Sequence, residues 1–218
     1  MRILDTFCSA GGASKGYNDA GFEVVGVDIA PQKHYPYEFH QGNAIEFIIK
    51  HGHEFDAIHA SPPCQAYTPA GQQWRKGGKV YQDMVAITRY VLIKSGKPWI
   101  IENVPGAPLI NPLILNGAFF GMRVRRTRLF ETSFQIPFFL IPKEGKSNFR
   151  MGRAVKEGDT IVPVGHFTNV EYARKEMRID WMNRSELAQA IPPAYTQFIG
   201  THLMNLLELN IDIEREAE

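Results

Sequence analysis

The feature that most constrains the fold is the pattern of the first 28 residues. An apolar run at 2–7 is typical of a buried strand and leads into a turn of small residues at 8–16. A helix-like stretch at 14–20 follows, and a second apolar run at 23–28 ends in Asp28. This order is typical of a nucleotide-binding βαβ unit, whose terminal acid accepts hydrogen bonds from ribose hydroxyls. Asp28 lies closer to the turn than the roughly twenty residues of dinucleotide sites, and the turn is not G-x-G-x-x-G. The pattern therefore favours an adenosyl ligand other than NAD.

Similar alternation continues along the chain and predicts the fold class. Strands are predicted at 2–7, 23–28, 56–60 and 99–104, and helices at 14–20, 31–39, 43–50, 82–95, 183–190 and 193–209. Strands that alternate with helices build a mostly parallel sheet with helices on both faces. We therefore predict an α/β fold with a Rossmann-like sheet.

A cysteine follows the third predicted strand in an unusual setting. Residues 60–65 read Ala-Ser-Pro-Pro-Cys-Gln. Pro62 and Pro63 restrict the backbone to extended conformations, so the Cys64 thiol is held in one direction. A rigidly held thiol suits a nucleophile, although a cysteine beside prolines can equally serve the structure alone.

An acid and an amide end the fourth predicted strand. The run Trp99-Ile100-Ile101 leads into Glu102 and Asn103, and open α/β sheets bind their ligands at the carboxyl ends of strands. Burial there raises the pKa of a carboxyl and suits it to proton donation. The alternative is a glutamate that only caps a loop.

Four arginines occur within residues 123–128. The strand-like alternation of this stretch places Arg126 and Arg128 on the same face. Two guanidinium groups on one face suit a phosphate or an acidic partner. A solvated basic strand is the competing interpretation.

Together these motifs, in this order, resemble the cytosine-5 DNA methyltransferase family, as a short member with a reduced target-recognition segment. The resemblance covers residues 3–132 and 183–200. It is carried by Asp5-x-Phe7-Cys8-x-Ala10-Gly11-Gly12-x-Ser14-x-Gly16, by Asp28, Pro62-Pro63-Cys64-Gln65, Glu102-Asn103-Val104 and Arg126-x-Arg128, and by Ala190-Ile191-Pro192-Pro193 with Ile199-Gly200.

The resemblance implies a cofactor and a site. S-adenosylmethionine would be the methyl donor, bound by Asp5, Phe7, Gly11, Gly12, Ser14, Asp28, Ile29, Asn43, Pro62 and Ala190. Asn43 stands where the family usually carries an aspartate for the adenine amine, and its carbonyl would accept the same bond. The implied catalytic residues are Cys64, Glu102, Arg126 and Arg128.

The resemblance also implies a reaction on double-stranded DNA. The Cys64 thiolate would add to C6 of a cytosine flipped out of the helix, so that C5 attacks the donor methyl group. Glu102 would neutralise charge on the ring at N3, and Arg128 would support the base carbonyl or the thiolate. Arg126 would hold neighbouring groups, and nearby positive charge would favour the thiolate.

The resemblance divides the chain into a catalytic S-adenosylmethionine-binding domain, residues 1–132 and 181–218, and a small target-recognition segment, residues 133–180. Three alternatives stay open. Transfer-RNA cytosine-5 methyltransferases share the fold and have a motif similar to Ser61-Pro62-Pro63-Cys64-Gln65 followed by Thr68 and Gly71. A non-catalytic nucleic-acid clamp is the second, and a modified donor, suggested by Gln189 at the pocket rim, is the third.

Composition narrows the class further. A chain of 218 residues with 44% apolar content and two cysteines suits one cytoplasmic enzyme without a disulfide framework. No membrane span and no metal site are expected, since no apolar run approaches ~20 residues and the histidines lack ligand spacing. Basic residues concentrate downstream of Cys64, as expected for a cleft that follows phosphates. Residues 65–80 are predicted to form a loop that closes over nucleic acid.

Overall fold

The structure, a computed structural model, describes residues 1–68, 81–137 and 155–216, with side chains as far as residue 209. Most of the loop predicted at 65–80 and the middle of the segment predicted at 133–180 lie outside the described residues.

A seven-stranded sheet organises the described chain, in the order β3-β2-β1-β4-β5-β7-β6. The strands are β1 Arg2–Thr6, β2 Glu23–Asp28, β3 Glu38–Gln41, β4 Ala57–Ala60, β5 Trp99–Asn103, β6 Leu113–Leu115 and β7 Arg128–Thr132. The pairs among β1 to β5 are parallel, whereas β7 runs antiparallel to both β5 and β6. The predicted mostly parallel α/β sheet is therefore confirmed.

Six α-helices accompany the strands in the described residues: α1 Gly12–Asp19, α2 Ala44–His51, α3 Val85–Ser95, α4 Val170–Met177, α5 Arg184–Gln189 and α6 Pro193–Glu216. Short 3-10 turns occur at Gly52–Glu54 and Gly117–Phe120. The local sequence explains several helix ends. The Asn183 side chain and Glu186 form a reciprocal capping box on α5, and Gly96 ends α3 in the left-handed conformation.

The helix predicted at 31–39 is wrong. That stretch is irregular until β3 begins at Glu38 and pairs in parallel with β2. Pro31 and Pro36 explain the difference, because proline removes a backbone donor and drives the residue before it away from helical conformation. The aromatic residues of the stretch pack among themselves instead: the Tyr35 ring lies 5.8 Å from Tyr37 and 5.6 Å from Phe39, centroid to centroid.

Both faces of the sheet are buried, as strand periodicity requires. In β1, Ile3 belongs to the core under α1 and α6, whereas the adjacent Leu4 belongs to the core under α2 and α3. A third cluster joins residues 161–190 to Ala10 in the glycine-rich turn and to Val124. The described part of the predicted recognition segment thus shares a core with the rest of the chain. No helix among the described residues is both long and apolar enough to cross a membrane.

Close contact between α1 and α6 depends on Gly16. A Cβ built on this residue would lie 2.0 Å from Thr196 Oγ1 and 2.1 Å from the Pro193 carbonyl oxygen. The Thr196 hydroxyl also donates to the Ala13 carbonyl at 2.8 Å. The glycine therefore lets the C-terminal helix lie directly on the first helix.

We expect Gly16→Ala to lower the free energy of unfolding by about 2 kcal/mol, although alanine favours an isolated helix, because the added methyl group overlaps backbone atoms of α6. Gly42→Ala is the matched control: nothing lies within 4 Å of its Cβ position, so a change within about 0.5 kcal/mol is expected. Denaturant unfolding measures both. Equal stability of the two variants would contradict the packing account.

Candidate active site

The turn after β1 has an unusual backbone. Phe7, Ser9 and Gly11 all have positive φ, at 56°, 46° and 85°. Only glycine adopts this conformation without cost, and strained residues of other types cluster at functional sites. The turn then delivers the backbone N–H groups at the start of α1 to the carboxyl edge of the sheet. This edge is where open α/β sheets bind ligands.

Asp28 stands at the end of β2, next to the turn. Its carboxylate accepts backbone N–H bonds from Ser9 at 2.9 Å and from Ala30 at 3.0 Å. Ile29 is 71% exposed beside it and presents an apolar surface at this edge of the sheet. Asn43 is the N-cap of α2: its side-chain carbonyl oxygen accepts a hydrogen bond from the backbone N–H of Ile45 at 2.9 Å.

A buried acid lies beneath the turn. Asp5 accepts a hydrogen bond from the Ser14 hydroxyl, and its Oδ1 atom has no partner. Burial raises the pKa of Asp5 to about 7. The Tyr35 hydroxyl lies 2.8 Å from Ser14 Oγ, and a Cβ on Gly26 would lie 2.3 Å from Tyr35. Tyr35 therefore covers the turn. The wrong prediction of a helix at 31–39 did not indicate this role.

The C-terminal segment closes over the same turn. A Cβ on Gly12 would lie 2.6 Å from the Ile191 carbonyl oxygen and 3.1 Å from the Cβ of Ala190. The Trp181 indole N–H donates to the Ala10 carbonyl at 2.8 Å. The structure thus places Ala190 against Gly12 of the turn.

Cys64 occupies the loop that leaves β4. Its carbonyl accepts backbone N–H bonds from Tyr67 at 2.9 Å and Thr68 at 3.2 Å, and its side chain is half-buried. The Asn103 side chain donates to the Pro62 carbonyl at 2.9 Å. Because Asn103 is buried at the end of β5, this bond ties the cysteine loop to the neighbouring strand.

Glu102 is the next acid along this edge, and it is 6% exposed. Arg128 Nε lies 2.9 Å from Glu102 Oε1, and the Ser61 hydroxyl is a second hydrogen-bond partner of the carboxyl. Burial raises the pKa of Glu102, while Arg128, Ser61 and Arg126 oppose the rise. The antiparallel pairing of β7 with β5 makes this ion pair possible.

Arg126 is buried beside the pair and faces backbone. Its terminal nitrogens donate to the carbonyls of Pro163 and Ala188, each at 2.8 Å, while Nε has no partner. Burial and the neighbouring Arg128 lower the pKa of Arg126 to about 9, so it stays charged at neutral pH. These two hydrogen bonds hold Pro163 and the C-terminal turn of α5 next to the site.

The Cys64 thiol is not activated by its surroundings alone. Burial and the nearby Glu102 raise its pKa, and Arg128 and Arg126 oppose them. The pKa of Cys64 is therefore raised overall, whereas the arginines by themselves would lower it. Cys8, the other cysteine, is buried and its pKa is raised further, also by desolvation.

The predicted site residues form two neighbouring groups at one edge: the glycine turn with Asp5, Asp28 and Ala190, and the triplet Cys64, Glu102 and Arg128. Electrostatic coupling of Glu102 to both Asp5 and Cys64 links the groups. Sequence reasoning missed Tyr35, Ser61 and Trp181, whose roles depend on contacts across distant segments. Among the described residues, no three His, Cys, Asp or Glu side chains gather as a metal site needs.

The mostly parallel sheet with its helices is the Rossmann-like fold of methyltransferases. Residues 1–108 match the model of C-5 cytosine-specific DNA methylases, so this part of the chain is a C-5 cytosine methylase domain. The family resemblance drawn from the motifs is thereby confirmed. C-5 cytosine methyltransferases use S-adenosylmethionine as methyl donor.

Solved structures share the architecture. The Entamoeba histolytica methyltransferase EhMeth aligns with 95% of this chain and 98% of its own, at 15% identity and a TM-score of 0.63. The S. pombe Dnmt2 methyltransferase aligns with 95% and 99%, at 13% identity and a TM-score of 0.59. Both show the fold.

A putative DNA modification methyltransferase encoded within an E. coli prophage matches 60% of this chain at 22% identity and a TM-score of 0.46, and this chain spans 45% of that protein. None of the curated proteins matches the sequence.

We expect Glu102→Gln to lower the pKa of the Cys64 thiol, because the substitution removes a negative charge that disfavours the thiolate. The pH midpoint of Cys64 alkylation by iodoacetamide should then move down by about one unit. Mass spectrometry of the modified peptide measures the rate, and Cys64→Ala gives the background. An unchanged midpoint would show that Glu102 carries no charge near the thiol in the free protein.

Asp5 should make stability depend on pH. Its carboxyl binds a proton more tightly in the folded state, with a pKa of about 7 against its ordinary value of 3.8. Stability is therefore lost as pH rises towards and through 7, by about 2–3 kcal/mol between pH 5 and 8. Asp5→Asn should lack this decline. Parallel denaturant titrations test the difference, and equal slopes for the two proteins would refute it.

Proposed function

We propose that this chain is a DNA (cytosine-5) methyltransferase, which transfers a methyl group from S-adenosylmethionine to C5 of a flipped cytosine through a Cys64 adduct at C6. The observation that carries the proposal is the triplet of Cys64, Glu102 and Arg128 beside the glycine-rich turn and Asp28. Thiol, buried carboxyl and guanidinium are the groups that this reaction needs, and they adjoin a pocket suited to an adenosyl ligand.

The residues at the turn fit the donor. Asp5 Oδ1 is a buried acceptor without a partner, which suits a ligand that brings an ammonium group. Asp28 suits the ribose, and the exposed Ile29 suits the adenine face. With Phe7, Gly11, Gly12, Ser14, Asn43, Pro62 and Ala190 they complete the proposed binding set. S-adenosylmethionine, when bound, supplies an electrophilic methyl group.

Cys64 would begin the reaction. Its thiolate sulfur forms a bond to C6 of the cytosine, and the electron pair of the C5–C6 double bond becomes available at C5. After methylation, a base removes the C5 proton, the double bond reforms and the sulfur leaves. Because burial raises the Cys64 pKa, the approach of Arg128 and the neutralisation of Glu102 would both assist thiolate formation.

Glu102 would act on the ring. Because burial raises the pKa of this carboxyl, it would share a proton with N3 of the cytosine and neutralise charge that builds up there. Arg128 holds this carboxyl through Oε1 and also stabilises the thiolate electrostatically. Arg126 would contribute by fastening the surrounding backbone, since its terminal nitrogens are already bound to carbonyls.

Two observations favour DNA as the substrate. The family model that matches residues 1–108 is that of DNA methylases, and basic residues are in excess downstream of Cys64, as a phosphate-tracking surface requires. The second candidate is a transfer-RNA cytosine-5 methyltransferase. It is favoured by the Ser61-Pro62-Pro63-Cys64-Gln65 motif with Thr68 and by the short segment between β7 and α4.

We further propose that residues 133–180 form a small recognition segment attached to a catalytic domain of residues 1–132 and 181–218. In its described part, Ile161 and Phe167 are buried in a core shared with Ala10. Phe167 therefore packs inside the protein, whereas the neighbouring His166 is exposed to solvent. A recognition segment held by the catalytic core suits a short target site.

Nucleoside mass spectrometry tests the function. The protein is incubated with S-adenosylmethionine and either duplex DNA or transfer RNA. We expect 5-methylcytosine in DNA, and a loss of at least a thousandfold in Cys64→Ala, since the covalent nucleophile is removed. Product in RNA alone would establish the second candidate.

A duplex that carries 5-fluorocytosine gives an independent readout. Fluorine at C5 cannot leave as a proton, so the sulfur–C6 bond should persist and the intact mass should show a protein–DNA adduct. The adduct should be absent in Cys64→Ala. Absence of both methyl product and adduct on either nucleic acid would overturn the proposed function.

A further inference from the structure

A chain of buried hydrogen bonds runs behind Glu102. The Tyr17 hydroxyl lies 2.8 Å from His59 Nδ1, and His59 Nε2 lies 2.8 Å from Ser61 Oγ. Ser61 and Glu102 each follow directly on the paired residues Ala60 and Ile101 of β4 and β5 and therefore lie side by side, and the Ser61 side chain lowers the pKa of the Glu102 carboxyl by hydrogen bonding. Neither Tyr17 nor His59 is needed by the chemistry described above. Three elements supply the chain, since Tyr17 lies on α1, His59 on β4 and Glu102 on β5.

Tyr17 and His59, the two members of this chain farthest from Glu102, are neutral. Tyr17 and His59 are each 0% exposed. Burial lowers the pKa of His59 to about 3 and raises the pKa of Tyr17 well above its usual value of 10. Around neutral pH the imidazole therefore carries a single N–H and the phenol keeps its proton.

Counting protons fixes the direction of the chain. If His59 Nδ1 carried the proton, it would donate to Tyr17, and the Tyr17 O–H would have no acceptor among the described residues. A buried donor without a partner costs about 1–3 kcal/mol. The favoured arrangement has Tyr17 donate to Nδ1 and Nε2–H donate to Ser61. The Ser61 O–H is then free to donate to Glu102.

We propose that Tyr17 and His59 are positioning residues for the methyltransferase site: they hold the Ser61 hydroxyl as a donor to Glu102, and so orient the carboxyl towards the target base. This inference rests on the proposed function. Arg128 Nε already occupies one side of the carboxyl at Oε1. With Ser61 as a second fixed donor, the carboxyl cannot rotate freely, and its remaining face is presented to the cytosine.

The same chain adjusts the ionisation of Glu102. The titratable and charged groups that surround this carboxyl are Asp5, Tyr17, His59, Cys64, Arg126 and Arg128. Burial raises the Glu102 pKa and the Ser61 bond lowers it. Loss of the Ser61 donation should therefore raise the pKa of Glu102, and activity that needs a protonated Glu102 should persist to higher pH.

Histidine nitrogen NMR of the free protein tests the chain without any assay of methyl transfer. In the wild type we expect His59 to be a single neutral tautomer with the proton on Nε2, unchanged between pH 5 and 9. In Tyr17→Phe, which keeps the ring but removes the hydroxyl, we expect both tautomers. A protonated imidazole in this range, or an Nδ1–H tautomer in the wild type, would overturn the proposal.

Kinetics test the consequence. In Tyr17→Phe we expect the single-turnover rate of methyl transfer to fall about three- to tenfold, on the scale of one net hydrogen bond. The KM for S-adenosylmethionine should stay unchanged, and the basic limb of the pH–rate profile should move to higher pH. A purely structural role for Tyr17 would not move that limb.

Tyr90→Phe is the control for loss of a tyrosine hydroxyl. Tyr90 lies on α3 with 57% of the residue exposed, outside both the Glu102 chain and the proposed recognition segment. This variant should keep the wild-type rate and pH profile. If Tyr17→Phe matched it, the positioning role would be refuted. If the wild type methylated neither DNA nor RNA, the proposed function would fail, while the NMR result would still decide the hydrogen-bond chain.

Discussion

The burial of Glu102 is the constraint on which the site depends. A carboxyl at the end of a central strand, almost without solvent contact, is tolerated only with hydrogen bonds and an opposite charge. Arg128 supplies the charge, and it can do so because β7 runs antiparallel beside β5 and sets Phe130 opposite Glu102. The reversal of strand direction at this side of the sheet is therefore part of the chemistry as well as of the fold.

A second group of contacts joins the two ends of the chain around the donor pocket. Gly12 and Gly16 admit the backbone of the segment at 190–197 at distances that any side chain would block. The N-terminal turn and the C-terminal helix consequently behave as one unit, reinforced by the Trp181 bond to Ala10.

At the carboxyl edge of the sheet, burial and neighbouring negative charges disfavour ionisation of the acidic groups. Asp5, Asp28, Glu102 and Cys64 share a small region, and desolvation raises the pKa of three of them, Asp5, Glu102 and Cys64. Such raised values suit groups that must hold or exchange a proton near neutral pH. The arrangement leaves the cysteine protonated in the free protein and makes activation dependent on neutralisation of its neighbours. A thiol of this kind resists oxidation until substrate arrives.

The sequence alone predicted strands β1, β2, β4 and β5 and helices α1, α2, α3, α5 and α6. It also predicted the positions of Cys64 after β4 and of Glu102 at the end of β5, because the apolar patterns and the glycine and proline residues that mark these elements act locally. Tertiary structure decided what local patterns do not encode. Pro31 and Pro36 already argue against the predicted helix at 31–39, but the pairing of β3 with β2 and the packing of Tyr35 on Gly26 arise only in the folded chain. The direction of the Cys64 pKa shift, and the chain from Tyr17 to Glu102, arise only where residues far apart in sequence meet away from water.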